Sequence, residues 1–134
     1  MNMLFPSNKI YIAKSLVVPT ERGVFAATAI QKGELIEACP VITISENDTA
    51  SIEEESLVTY MFYFGTKKER SVIALGFGSL YNHTDTPNAG YKELEKGQAL
   101  EFWAIKNIKK DEEITISYVQ ENINRPLWFS SSKS

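Results

Sequence analysis

The apolar residues of this chain fall in short runs, each closed by a turn signal, and no stretch keeps a helical period for long. Ile10-Tyr11-Ile12, Gly23-Val24-Phe25-Ala26, Leu35-Ile36-Glu37-Ala38 and Val41-Ile42-Thr43-Ile44 read as short strands, rich in β-branched and aromatic residues. Gln31-Lys32-Gly33-Glu34 is a turn in which Gly33 is free to take positive φ. Residues 45–51 are polar and read as a loop, and Ser51-Ile52-Glu53-Glu54 has the form of a capping box that opens a helical turn. From Leu57 to Phe64 two periods compete. Leu57, Tyr60, Met61 and Phe64 share a helical face, yet most of the segment consists of strong strand formers. The polar stretch 65–71, followed by Val72-Ile73-Ala74-Leu75, favours a hairpin, and strand is the reading adopted. Ala99 to Ile105 and Ile114 to Tyr118 give two more strands, connected through the charged turn Lys109-Lys110-Asp111-Glu112. The tail 130–134 is small and polar, so it is expected to fray. The pattern predicts a mostly β fold in one domain, 1–134, with its core at about 9–120 and a C-terminal flank at 121–134.

Composition narrows the partners. A chain of 134 residues supports one core, and 43% hydrophobic with 23% charged residues is the balance of a folded globular domain. The net charge of −3 and the scattered lysines argue against nucleic-acid binding, while a mildly acidic surface suits a basic partner. Cys39 and His83 are the only residues of their kinds, which excludes an internal disulfide and makes a zinc centre improbable; no metal is expected. There is no signal-peptide pattern and no apolar run near the ~20 residues of a membrane span, so a soluble intracellular protein is expected.

The most unusual stretch is Tyr81-Asn82-His83-Thr84-Asp85-Thr86-Pro87-Asn88, too polar for an ordinary core strand. Taken with Arg22-Gly23-Val24-Phe25-Ala26, Ala74-Leu75-Gly76-Phe77-Gly78 and Asp111-Glu112-Glu113-Ile114-Thr115-Ile116-Ser117-Tyr118, it resembles the ordered motifs of SET-domain protein lysine methyltransferases. The resemblance spans about residues 9–120 and is closest to minimal single-domain forms such as the viral SET proteins. It implies a β-clip of short strands, with the C-terminal segment threading the loop after Asn82-His83 as a pseudoknot.

The resemblance also implies a chemistry. S-adenosylmethionine would bind on one face, a lysine would enter by a channel from the other, and S-adenosylhomocysteine would leave. A lysine of pKa ~10.4 must be delivered as the neutral amine, which a dry channel beside a sulfonium favours. Tyr118 matches the catalytic tyrosine, and Tyr60 resembles a second tyrosine lining the lysine channel. Arg22 and Gly23 lie in the turn that meets the methionine portion. Asn82 would bond the cofactor through its side-chain amide, and His83 would hold adenine through its backbone rather than act as a base. Trp128 or Phe129 would cover the adenine, or else cap the core. Implied partners are a basic peptide such as a histone tail, with nuclear or chromatin localisation in that case, and a homodimer is a further expectation.

Simpler readings stand beside these. A lone His near Pro is usually a turn residue, and a Tyr at a strand end is usually packing. Glu112-Glu113 reads as a solvated turn pair, and Gly76 and Gly78 as backbone relief in a bend. The sequence departs from the family pattern at Glu21 and Asp111, which replace glycines, at Val119, and in lacking a cysteine-rich C-terminal element. Glu21 and Val119 leave room for a catalytically silent SET module that binds lysine-containing peptides; a non-enzymatic β-clip binding domain that shares only the topology is a third reading, against which the matched motifs count.

Overall fold

A computed structural model describes residues 4–45, 47–48, 61–64, 70–94 and 99–117. Among the described residues nine strands follow one another: β1 (Ile10–Lys14), β2 (Arg22–Ala26), β3 (Leu35–Ile44), β4 (Met61–Phe64), β5 (Arg70–Ala74), β6 (Asn82–His83), β7 (Ala89–Leu94), β8 (Ala99–Ala104) and β9 (Glu113–Ile116). One 3₁₀ turn, Gly78–Leu80, precedes β6. The mostly β reading holds. The strands form two sheets, ordered β1-β2-β9-β6 and β4-β5-β3-β8-β7.

Several expected strands are found as read, and two details differ. The segments 35–38 and 41–44 are one continuous strand. Its first part pairs with β8 as far as Pro40, and from Val41 onward it pairs with β5. Pro40 is tolerated at this change of partner, where a missing N–H breaks no run of ladder bonds. The hairpin reading of β4 and β5 is also found, in antiparallel register from Met61↔Ile73 to Phe64↔Arg70. The capping box at 51–54, residues 57–60 of the ambiguous segment and the tail 130–134 lie outside the described residues. Strands β6 and β7 were not legible in the sequence, since one is two residues long and the other mixes glycine with charge.

A bulge in β3 between Leu35 and Glu37 places two successive residues, Ile36 and Glu37, in the interior. One core draws on both sheets, with Val24, Ile114 and Ile116 from the first and Leu100, Phe102 and Tyr91 from the second. Tyr81 stacks on Phe102 at 4.5 Å, and Phe62 meets Tyr91 edge-on at 4.8 Å. Strand β9 is buried at all four positions, unlike the alternating β8. It lies between β2, to which it is antiparallel, and β6, to which it is parallel. That parallel pair needs a long crossover, and residues 84–112, which include β7 and β8, supply it.

Candidate functional site

Strand β9 brings the early and the middle motif together. Arg22 and Gly23 open β2 on one side of it, and Asn82-His83 form β6 on the other. The Asn82 side-chain amide donates to the Arg22 carbonyl at 3.0 Å and to Glu113 Oε2 at 3.2 Å. Both partners can only accept, so the Nδ2 end must face them and Oδ1 must face away. Gly23 sits in the same cluster. A Cβ there would collide with Glu113 Oε2 and approach Asn82 Nδ2 to 3.1 Å, so only glycine lets β2 run this close. The arginine side chain is exposed.

Glu113 corrects the reading of a solvated acidic pair. It is buried at 6% exposure, and its carboxylate replaces water with protein donors. Oε1 accepts the N–H groups of Leu16 and Val17 at 2.7 and 3.2 Å, and Oε2 accepts Ser15 Oγ at 2.7 Å besides Asn82. The strand boundary explains the split within the pair, because Glu112 lies in the exposed turn just outside β9 while Glu113 begins a strand that is buried throughout. Asp111 has φ +68°, the left-handed region that Asp tolerates better than most residues, and this matches its place at a usual glycine position.

The loop after β6 grips β9 from the other end. Thr84 N–H donates to the Ile116 carbonyl, and the buried Asn88 uses both ends of its amide on β9. Asn88 Nδ2 donates to the Glu113 carbonyl at 2.9 Å, and Oδ1 accepts Thr115 N–H at 2.9 Å. In the parallel register His83↔Ile116, the Thr84 bond turns the His83 peptide away from β9, toward the outer edge of the sheet. The His83 ring lies 3.4 Å from the exposed Asp85 carboxylate.

A second buried acid lies under β3 and was also missed in the sequence. Glu37, 6% exposed, accepts the Tyr81 hydroxyl at 2.8 Å and the Phe77 N–H at 2.9 Å. Burial, and then the Glu37 charge, push the Tyr81 hydroxyl pKa well above its ordinary value. The same two causes, in the same order, raise the thiol of buried Cys39. Gly76, at φ +64°, and Gly78 allow this packing, since a Cβ on Gly76 would reach Glu37 and one on Gly78 would reach Cys39. A cavity of about 260 Å³ opens beside this acid, lined by Phe5, Pro6, Pro40, Gly76 and Phe77 among others; neither Arg22, Gly23, Asn82 nor His83 lines it.

The structure therefore gathers four of the residues singled out in the sequence, Arg22, Gly23, Asn82 and His83, around β9. Tyr118, Tyr60, Trp128 and Phe129 lie outside the described residues. Glu113 is the residue of this cluster that the sequence did not reveal. Its only signal there is that it precedes an apolar run, at a position equally suited to a surface turn.

The family model for the SET domain matches residues 21–119. The chain belongs to the SET-domain family. The chain is 29% identical over 113 residues to the histone-lysine N-methyltransferase, H3 lysine-37 specific, of Schizosaccharomyces pombe, covering 84% of this chain and 73% of that protein. A solved candidate histone methyltransferase of Plasmodium falciparum is 36% identical, with a TM-score of 0.64, over 83% of this chain and 93% of that one. A ctPRC2 structure bound to S-adenosylmethionine superposes with a TM-score of 0.69 at 25% identity, over 85% of this chain and 15% of that one. The protein is a SET-domain protein-lysine methyltransferase that uses S-adenosylmethionine.

The described residues suit that cofactor. Asn82 Oδ1 offers an acceptor on the side opposite Glu113, Arg22 offers a cation, and the His83 peptide faces outward along β6. A molecule carrying an ammonium, a carboxylate and an adenine calls for such donors and acceptors.

Proposed function

We propose that this SET domain methylates a lysine in a basic protein tail, a histone tail in particular, and that it acts at chromatin. The observation that carries the reading is the family match over residues 21–119, joined to two relatives described as histone methyltransferases. The net charge of −3 agrees with a basic substrate.

The bound cofactor would supply an electrophilic methyl group on a sulfonium. In this reading Asn82 Oδ1 takes the methionine ammonium, Arg22 and the backbone at Gly23 meet the same end of the molecule, and the His83 peptide holds the adenine edge. Trp128 covers the adenine face. Tyr60 lines the lysine channel, and Tyr118 aims the amine with its hydroxyl, which is mainly a positioning effect. None of these residues needs to act as a strong base, because a desolvated lysine beside a cation loses its proton readily.

The test is transfer of labelled methyl from S-adenosylmethionine to histones, with free tail peptides as a second substrate. Tyr118→Phe is expected to lower the rate by about 10²-fold or more, the scale of a lost positioning group, while cofactor affinity stays within about twofold. Binding of S-adenosylhomocysteine without transfer to any protein would instead favour the silent peptide-binding module. Unchanged turnover in Tyr118→Phe would remove that residue from its role.

A further inference from the structure

We infer that Glu113 is a positioning residue for the cofactor: it fixes the Asn82 amide so that Oδ1, and not Nδ2, faces the cofactor's cationic end. The inference rests on the cofactor reading proposed above. An asparagine amide can present either end to a ligand, and the two ends differ in little but their hydrogen bonding. Something must therefore choose between them. Here the choice is made by two acceptors on one side, the Arg22 carbonyl and Glu113 Oε2.

Of these two, Glu113 has the means to act strongly. It is ionisable, 6% exposed, and bonded to neutral donors alone among the described residues: Ser15 Oγ, Leu16 N–H, Val17 N–H and Asn82 Nδ2. Those four bonds fill the roughly four lone-pair sites of a carboxylate. Hydrogen bonds to an ionised acceptor are about twice as strong as neutral ones, so the amide is held firmly. The same carboxylate closes the turn at Ser15–Val18, whose Leu16 is 75% exposed. The turn before β2 and the amide on β6 are thus set by one group, on which Gly23 is packed too closely for any side chain.

The carboxylate cannot be replaced by its amide. A glutamine would turn an NH₂ toward either the two backbone N–H groups or the pair Ser15 and Asn82. In the first orientation donor faces donor at the turn, and in the second the NH₂ opposes Asn82 Nδ2 and leaves only the Arg22 carbonyl to hold that amide end.

The experiment measures S-adenosylhomocysteine affinity by calorimetry, alongside the KM for S-adenosylmethionine and the melting temperature, in three variants. Glu113→Gln is expected to weaken product binding by about tenfold or more and to raise the cofactor KM in parallel, with kcat at saturating cofactor changed less than about threefold. Glu113→Asp keeps the charge but withdraws the oxygens by one methylene; it is expected to weaken binding in the same direction, and it is the decisive variant should the glutamine protein not fold. Glu37→Gln is the stability control, because it disturbs a buried acid outside this cluster; it is expected to lower the melting temperature while leaving affinity within about twofold. Unchanged affinity in the folded Glu113 variants, or equal weakening in Glu37→Gln, would overturn the positioning role. Failure of the unaltered protein to bind S-adenosylhomocysteine would overturn the cofactor reading itself, and this inference with it.

Discussion

Two carboxylates, Glu37 and Glu113, sit in the interior with no cationic partner among the described residues, each solvated by neutral donors. A buried charge is tolerable only when hydrogen bonds replace its water, so the donors around each acid are under strong constraint. Tyr81 gives a measurable consequence. Its folded pKa is raised above the ordinary 10.0, so its contribution is fully present below about pH 10 and is lost as the pH rises beyond that. In an alkaline titration Tyr81 is expected to ionise only as the protein unfolds, which absorbance near 295 nm followed together with circular dichroism would show. Tyr81→Phe should shrink that step by one tyrosine and cost about 1–3 kcal/mol, because Glu37 loses a buried donor. Cys39 behaves alike. Its thiol is fully buried and pushed further toward the protonated form, so Ellman's reagent should leave the native protein unmodified and titrate one thiol after denaturation.

At the level of elements, β9 organises the molecule, being the strand on which the early motif, the Asn82-His83 run and the loop after it converge. Its parallel pairing with β6 amounts to two bridges, too few to hold a strand by themselves. Asn88 makes good the difference with one bond on each side of Ile114, to the Glu113 carbonyl and the Thr115 N–H. Asn88→Ala would strip both partners inside a dry interior. It is expected to cost about 2–4 kcal/mol, read as a fall in denaturant midpoint with little change in m-value. A smaller loss, comparable to that of an exposed alanine substitution, would mean that the loop is held by other contacts. The continuous β3 carries a similar lesson: its two halves look like separate strands because Cys39-Pro40 interrupts the pattern, yet each half has its own partner strand.

For the molecule as a whole, the match over residues 21–119 makes this a SET domain, and the reaction proposed for it depends on the pairing of distant segments. Strands β1, β2, β5 and β8 were legible because one face of each, or all of it, is apolar, and burial enforces that pattern. The motifs around Arg22, Gly23, Asn82 and His83 were legible because such polar, glycine-bearing runs are costly in a core unless they have a specific task. Strand β6 was not, since two residues have no period, and its strand character comes entirely from β9. Glu113 was not legible either. A carboxylate is buried only where donors replace its water, and Ser15, Leu16 and Val17 lie nearly a hundred residues away in the chain. The sequence alone determined the fold class and the family, and singled out four residues that the structure brings around β9, because these follow from local pattern and from motif order. Only the tertiary structure decided which acid is buried and which way Asn82 faces, because desolvation and hydrogen bonding at those points depend on groups brought together by folding.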